Sequence, residues 1–217
     1  FMVMTATLPR IYKDKLGKMG IKFEYNEFIK DSDRFTYLSS RPVMKKIYEL
    51  INDITTINSF YAAIGTGGSA CGTAMGLKKR NSNTKINVIE PDGSILFGGE
   101  GKPYYQSGTG NPKDAPIPKI IDYSLIDNNY YATDKEAFNT CRFFAKKYGL
   151  LIGGSAGGVL FKALEDINKK TGSGNAVVLL CDGGEKYLNN IFNDDFMIKN
   201  ELIDLGVEDK LDNWLVK

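Results

Sequence analysis

The sequence predicts an α/β protein built on a parallel sheet flanked by helices on both faces. Three observations point there. The segments SFYAAI (59–64), KINVIE (85–90) and AVVLLCD (176–182) are apolar almost from end to end, the pattern of strands buried on both sides. Helix-like stretches alternate with strand-like ones along the chain, as layered α/β folds require. Three glycine-rich turns, GTGGSACG (65–72), GGSAGG (153–158) and DGGE (182–185), stand directly behind apolar runs.

Taken in order, residues 1–4 read as a short strand. Thr7 caps a helix with Pro9 in its first turn, running to Met19 and stopped by Gly20. IKFEY (21–25) alternates as a strand does. Asn26 to Ser40 is polar and loop-like, and a helix follows from about Pro42 to Ile51. Behind the strand 59–64 and its glycine turn, a helix spans about Thr73 to Arg80, then comes the strand 85–90. Gly93 to Asp122 is rich in Gly and Pro without a clear period, a length of loop that is usually functional or disordered. NNYYA (128–132) reads as a strand, and Thr133 with Glu136 forms a capping box. The helix behind it carries Phe138, Cys141, Ala145 and Tyr148 on one face and ends at Gly149. LLIG (150–153) reads as a short strand, followed by a helix from Gly157 to Lys169 that Gly172 stops, and then the strand 176–182. The tail from 194 is charged, with Trp214 near its end.

Composition narrows the chemistry. In 217 residues, 42% hydrophobic and 25% charged, there is material for a sizeable core and no sign of a disordered or disulfide-built protein. Histidine is absent, which excludes a Ser-His-Asp triad, a Cys-His dyad and a His-ligated zinc. Proton transfer falls to Lys, Asp, Glu, Tyr, Ser or a cofactor. A net charge of +2, from 28 basic and 26 acidic residues, is too balanced to predict a nucleic-acid partner. Cys71, Cys141 and Cys181 are scattered and odd in number, which suits a reducing compartment and neither disulfides nor a metal cluster. No apolar run approaches a membrane span, and the opening FMVMTATLPR has no secretory h-region and reads as starting inside a strand.

Glycine-rich loops at the carboxyl ends of parallel strands bring backbone N–H groups and a helix dipole to bear on an anion. Gly67 to Thr73 gives G-x-x-x-x-G-T, without the lysine an ordinary ATPase needs. Gly65, Gly67 and Ala70 satisfy G-x-G-x-x-A, and Glu90 ends the next strand where a ribose-binding acid belongs. On the residues alone a Rossmann-type NAD(P) oxidoreductase therefore stays open, although it leaves GGSAGG and DGGE unexplained.

A resemblance is more specific. GTGGSACGTAMGLKK (65–79), VIEPDGSILFGG (88–99), QSGTGNPKDAPIPKIID (106–122), YGLLIGGSAGG (148–158) and AVVLLCDGGEKYLNNIFNDDF (176–196) resemble, in order, five motifs of one family. These are the fold-type II enzymes that use pyridoxal 5'-phosphate (PLP), a tryptophan synthase β-like fold, in the group of cysteine synthase and cystathionine β-synthase. Around SILFG and GGS the chain looks similar to the synthases of a diaminopropionate precursor for siderophores. The resemblance implies that Gly65, Thr66, Gly67, Gly68 and Ser69 hold the PLP phosphate and that Ser155 hydrogen-bonds the pyridine nitrogen. It places Asp182 near the ring or in charge of ordering the Ser155 loop. Gly108, Thr109 and Gly110 fall in a loop that faces the substrate. As bare residues, Ser155 and Asp182 read equally as helix N-caps or turn residues, and the glycines as turn formers.

The implied reaction is β-elimination and β-replacement on an activated serine (O-acetyl- or O-phosphoserine), with a thiol or amine as nucleophile. Departures accompany the match. The family's Schiff-base lysine and a ring-contacting Asn find no counterpart; Lys13, Lys15 and Lys18 lie on the helix 7–19 and read as a solvated face. The connection between Asp31 and Asn58 is shorter than in relatives. We therefore expect residues 1–40 to be part of a small N-terminal domain and 41–217 the large PLP-binding domain. The expected protein is a cytoplasmic homodimer acting on a small amino acid, with no nucleic-acid or membrane partner. A truncated, non-catalytic relic is the remaining reading.

Overall fold

The computed structural model describes the backbone of residues 2–5, and residues 56–169 and 174–215. The expected helix 7–19, strand 21–25, loop 26–40, helix 42–51 and the stop at Gly172 lie outside the described residues. Five strands form one sheet: β1 (Met2–Thr5), β2 (Ser59–Ala63), β3 (Lys85–Pro91), β4 (Asn128–Ala132) and β5 (Ala176–Leu180), in the order β1-β5-β2-β3-β4. Every pairing is parallel. The helices are α1 (Gly68–Arg80), α2 (Asp134–Tyr148), α3 (Gly154–Lys169), α4 (Asp194–Lys199) and α5 (Leu205–Leu215). Short 3-10 turns span Tyr123–Leu125 and Gly184–Tyr187.

Side chains alternate across the pleat, so β2, β3 and β5 feed two cores. Phe60, Ala62, Ile86, Val88 and Val177 pack on one face against Ala70, Cys71, Ala74 and Leu77 of α1. Tyr61, Ile89, Val178 and Leu180 point to the other, where α2, α3 and α5 cover them. This is the parallel sheet flanked by helices that the apolar strands predict.

The ends of elements differ in instructive ways. Helices α1 and α3 start at Gly68 and Gly154, earlier than the expected Thr73 and Gly157. Reading GGSAGG as a turn overlooks that glycine also serves close packing. A β-carbon on Gly157 would come within 2.2 Å of the Ala137 carbonyl oxygen in α2, and one on Gly158 within 2.8 Å of Gln106 Oε1. Gly157 lets α3 touch α2, and Gly158 lets α3 approach Gln106 and the end of β4. LLIG contributes only an isolated antiparallel bridge, Ile152 to Gly183, rather than a sheet strand. The α2 capping box is present: Glu136 N donates to Thr133 Oγ1 at 3.1 Å, and Thr133 N to Glu136 Oε2 at 2.9 Å. Gly149 ends the helix at φ 66°. On the expected apolar face Phe138 and Cys141 are buried, Ala145 and Tyr148 only half-buried, while Phe143 and Phe144 join the core. Trp214 lies 5.2 Å from Phe161 of α3, ring centre to ring centre, so it packs within its own chain. No described helix is long and apolar enough to cross a membrane.

Candidate active site

From β2 the chain runs outward through α1 to β3, while β5 pairs with the opposite side of β2. The carboxyl ends of β2 and β5 thus border a topological switch point, where ligands of open α/β sheets bind. The glycine loop 65–69 leaves β2 there, and Cys181 to Gly184 leave β5.

The first wall is the amino end of α1. Gly67 is its N-cap at φ 91°, with no side-chain cap and no acid in the first turn. The first helical bond runs from Cys71 N to the Gly67 carbonyl, 2.8 Å, so the N–H groups ahead of Cys71 lie outside the helical ladder. Thr66, Gly68 and Ser69 are exposed beside them. Ile64 O, one residue before the loop, accepts from Gly110 N at 2.7 Å and from Thr109 Oγ1 at 3.0 Å. A β-carbon on Gly65 would be 3.4 Å from Thr109 Cα. The segment Gly108–Gly110 is therefore seated directly against the loop 65–69. The rest of the long stretch 93–122 is wired down, with Tyr105 N and Gln106 N on the Asp134 carboxylate at 2.8 and 3.1 Å and Asn111 N on Ser94 Oγ at 2.9 Å.

The second wall joins 151–155 to 181–187. Gly153 N donates to the Asp182 carbonyl at 3.1 Å, and Gly184 N to the Leu151 carbonyl at 3.2 Å. Cys141 Sγ, its thiol pushed up by burial, donates to the Gly153 carbonyl at 3.2 Å. Ser155 lies in the first turn of α3, after Gly154, so it is not the N-cap. It is 4% exposed, and its Oγ stands 3.1 Å from Cys181 Sγ. Cys181 is exposed; desolvation of its thiol by the surrounding atoms, opposed by the Ser155 hydrogen bond, raises it above the ordinary thiol value. Asp182 lays its carboxylate over Gly153, where an added β-carbon would be 2.0 Å from Oδ1. Oδ2 accepts from Tyr187 at 2.7 Å. Oδ1 is buried and has no hydrogen-bond partner among the described residues.

Nine of the ten candidate residues lie just after the carboxyl ends of β2 and β5 or on the 108–110 segment; Ser155, in the first turn of α3, faces the end of β5 through Cys181. Sequence reasoning missed Ser107, Cys181 and Tyr187. The D-x-x-x-x-Y-L spacing marks Tyr187; nothing in the residue types marks Ser107. Glu90 has no surface to offer a ribose: it is fully buried, and Asn129 Nδ2 donates to its Oε1 at 3.1 Å.

The family described as pyridoxal-phosphate dependent enzyme matches residues 43–182, more than half of the chain. The chain belongs to this family. A putative cysteine synthase of Sinorhizobium fredii is 45% identical over 159 residues, 73% of this chain and 47% of that protein. The O-acetylserine dependent cystathionine beta-synthase of Bacillus subtilis is 39% identical over 133 residues, 61% of this chain and 42% of its own length. The solved O-acetylserine dependent cystathionine beta-synthase of Helicobacter pylori superposes with a TM-score of 0.59 at 33% identity, covering 66% of this chain and 47% of that one. O-acetyl serine sulfhydrylase isoform 3 of Entamoeba histolytica, TM-score 0.60 at 22% identity over 74% of this chain and 49% of that one, shows the shared fold. The chain spans about half the length of the curated relatives it matches. Membership bears out the fold-type II resemblance and the family's cofactor, PLP. The residues present fit that group: an uncapped helix end with open N–H groups and exposed hydroxyls suits a phosphate dianion, and a buried hydroxyl at Ser155 suits a ring nitrogen.

Proposed function

We propose that the protein performs PLP-dependent β-replacement on an activated serine, O-acetyl- or O-phosphoserine, with a thiol or amine as the incoming nucleophile. The observation that carries this is the uncapped amino end of α1 at the switch point, in a chain of the pyridoxal-phosphate dependent family. When bound, PLP supplies the electron sink through which the serine-derived side chain loses its leaving group and takes a nucleophile.

In this reading Gly65, Thr66, Gly67, Gly68 and Ser69 hold the phosphate, through backbone N–H groups and two hydroxyls. Gly67 serves because its left-handed backbone turns the loop into the helix. Ser155 hydrogen-bonds the pyridine nitrogen. A hydroxyl does not force a proton onto the ring as a carboxylate would, and replacement at the β-carbon tolerates that weaker sink. Asp182 orders the Ser155 loop through its main-chain bond to Gly153. Gly108, Thr109 and Gly110 face the amino acid. The lysine that carries the cofactor has no counterpart in this reading of the chain. We propose that residues 1–40 belong to a small domain and 41–217 to the large one, with the strand β1 of the first segment pairing with β5 in the large domain's sheet, and we propose a cytoplasmic homodimer, a reading supported by the family resemblance and by the exposed Ile198 and Leu205.

Equilibrium dialysis of the chain against PLP and against NADH tests the reading. Saturable PLP binding is expected, weakened about tenfold by Thr66→Ala or Ser69→Ala for the loss of one hydrogen bond to a charged group, with no saturable NADH binding. Saturable NADH binding without PLP binding would favour the oxidoreductase; binding of neither would favour the relic.

A further inference from the structure

The hydroxyl of Tyr187 stands where the two walls of the site meet. It donates to Asp182 Oδ2 at 2.7 Å and lies 3.2 Å from Ser107 Oγ. A carboxylate only accepts, so the phenolic proton is committed to Asp182 and Ser107 is the donor in the second contact. The order Ser107 to Tyr187 to Asp182 is thereby fixed. Burial first, and Asp182 after it, push the phenol up to about 12, so the proton is in place at neutral pH.

Each end of this chain of hydrogen bonds depends on its middle. Asp182 Oδ1 is buried with no hydrogen-bond partner among the described residues, which leaves Oδ2 as the oxygen that Tyr187 secures. A half-buried carboxylate that already has one oxygen without a partner is costly to leave without that bond. At the other end, the loop that carries Ser107 is anchored on both sides. Tyr105 N and Gln106 N bind the Asp134 carboxylate, and Thr109 and Gly110 bind the Ile64 carbonyl. Between these anchors Ser107 and Gly108 form an exposed tip, with Gly108 at φ 75°. The Ser107 side chain ties that tip to Tyr187.

We propose that Tyr187 is a positioning residue that latches the Ser107–Gly108 tip to Asp182, holding the substrate-facing loop and the end of β5 at one spacing. The proposal rests on the reading that Gly108, Thr109 and Gly110 face the amino acid. It gives Tyr187 no contact with the reacting atoms.

Hydrogen exchange of the amides of 105–111 tests the latch without any cofactor. Tyr187→Phe is expected to speed their exchange about fivefold, the effect of one modest hydrogen bond. Ser107→Ala, an exposed substitution that leaves the core untouched, is expected to do the same, and the double variant no more than either alone. Unchanged exchange in Ser107→Ala and Tyr187→Phe overturns the latch. With PLP bound, affinity for O-acetylserine, read from the change it makes in the cofactor's absorbance, is expected to fall about fivefold in both variants, while affinity for PLP shifts less than about twofold. Faster exchange with unchanged O-acetylserine affinity overturns the role given to the spacing. A wild-type chain that takes up no PLP overturns the functional reading instead, and the exchange experiment still decides the latch.

Discussion

Gly67 holds φ at 91°, and a β-carbon there would stand 2.7 Å from Ile121 Cγ1. Both facts follow from a strand that must turn into a helix over a few residues while the loop 108–121 packs against the turn. Gly67→Ala is expected to cost about 1–2 kcal/mol from the left-handed backbone alone, measured as a lower urea midpoint at unchanged slope. Glu90 poses the opposite problem, a carboxyl at the end of β3 with no exposed surface. Burial, opposed by hydrogen bonds from Ser94 and Asn129, raises this carboxyl above the ordinary glutamate value. The folded protein then keeps the proton to higher pH than the unfolded chain does. Stability from this group is full below the unfolded value and is lost as pH rises through the raised folded one. Glu90→Gln removes that loss, so the stability of the variant relative to wild type is expected to climb as pH rises above the ordinary glutamate value of about 4.3. Urea melts across that range check it; a difference constant with pH would contradict it.

At the scale of elements, β2, β3, β4 and β5 and the body of α2 were legible in the sequence, and the reasons are local. End-to-end apolar runs mark strands of a buried parallel sheet, and Thr133 with Glu136 marks a helix start whatever surrounds it. The starts of α1 and α3 were not legible, because a glycine that turns the chain and a glycine that lets two helices touch look alike until the partner is known. Gly157 is the clear case, facing the Ala137 carbonyl and Cys141 Sγ of α2. Gly157→Ala is expected to destabilise by about 1–3 kcal/mol, as overpacking does, read by thermal or urea melts; a neutral substitution would show that the two helices can part. The candidate site divides the same way. Its glycines and Ser155 are nominated by the family motifs they stand in; as bare residues they read equally as turn formers or caps. The links between walls, Cys181 to Ser155 and Ser107 to Tyr187, join residues distant in sequence and are set by the sheet order.

For the whole molecule, the order β1-β5-β2-β3-β4 does the decisive work. It brings the end of β5 beside the end of β2, so that loops separated by more than a hundred residues stand side by side. Two cores, one on each face of the sheet, hold those strand ends in place. The absence of histidine excludes a Ser-His-Asp triad and a His-ligated zinc within this chain, and the chain belongs to the pyridoxal-phosphate dependent family. We propose that these loops recognise the cofactor by its phosphate, at the amino end of α1. The affinity of the chain for PLP compared with pyridoxal, which lacks the phosphate, tests this most directly. Pyridoxal is expected to bind about a hundredfold more weakly, the worth of charge-assisted hydrogen bonds at a helix end. Equal affinity for the two would contradict it.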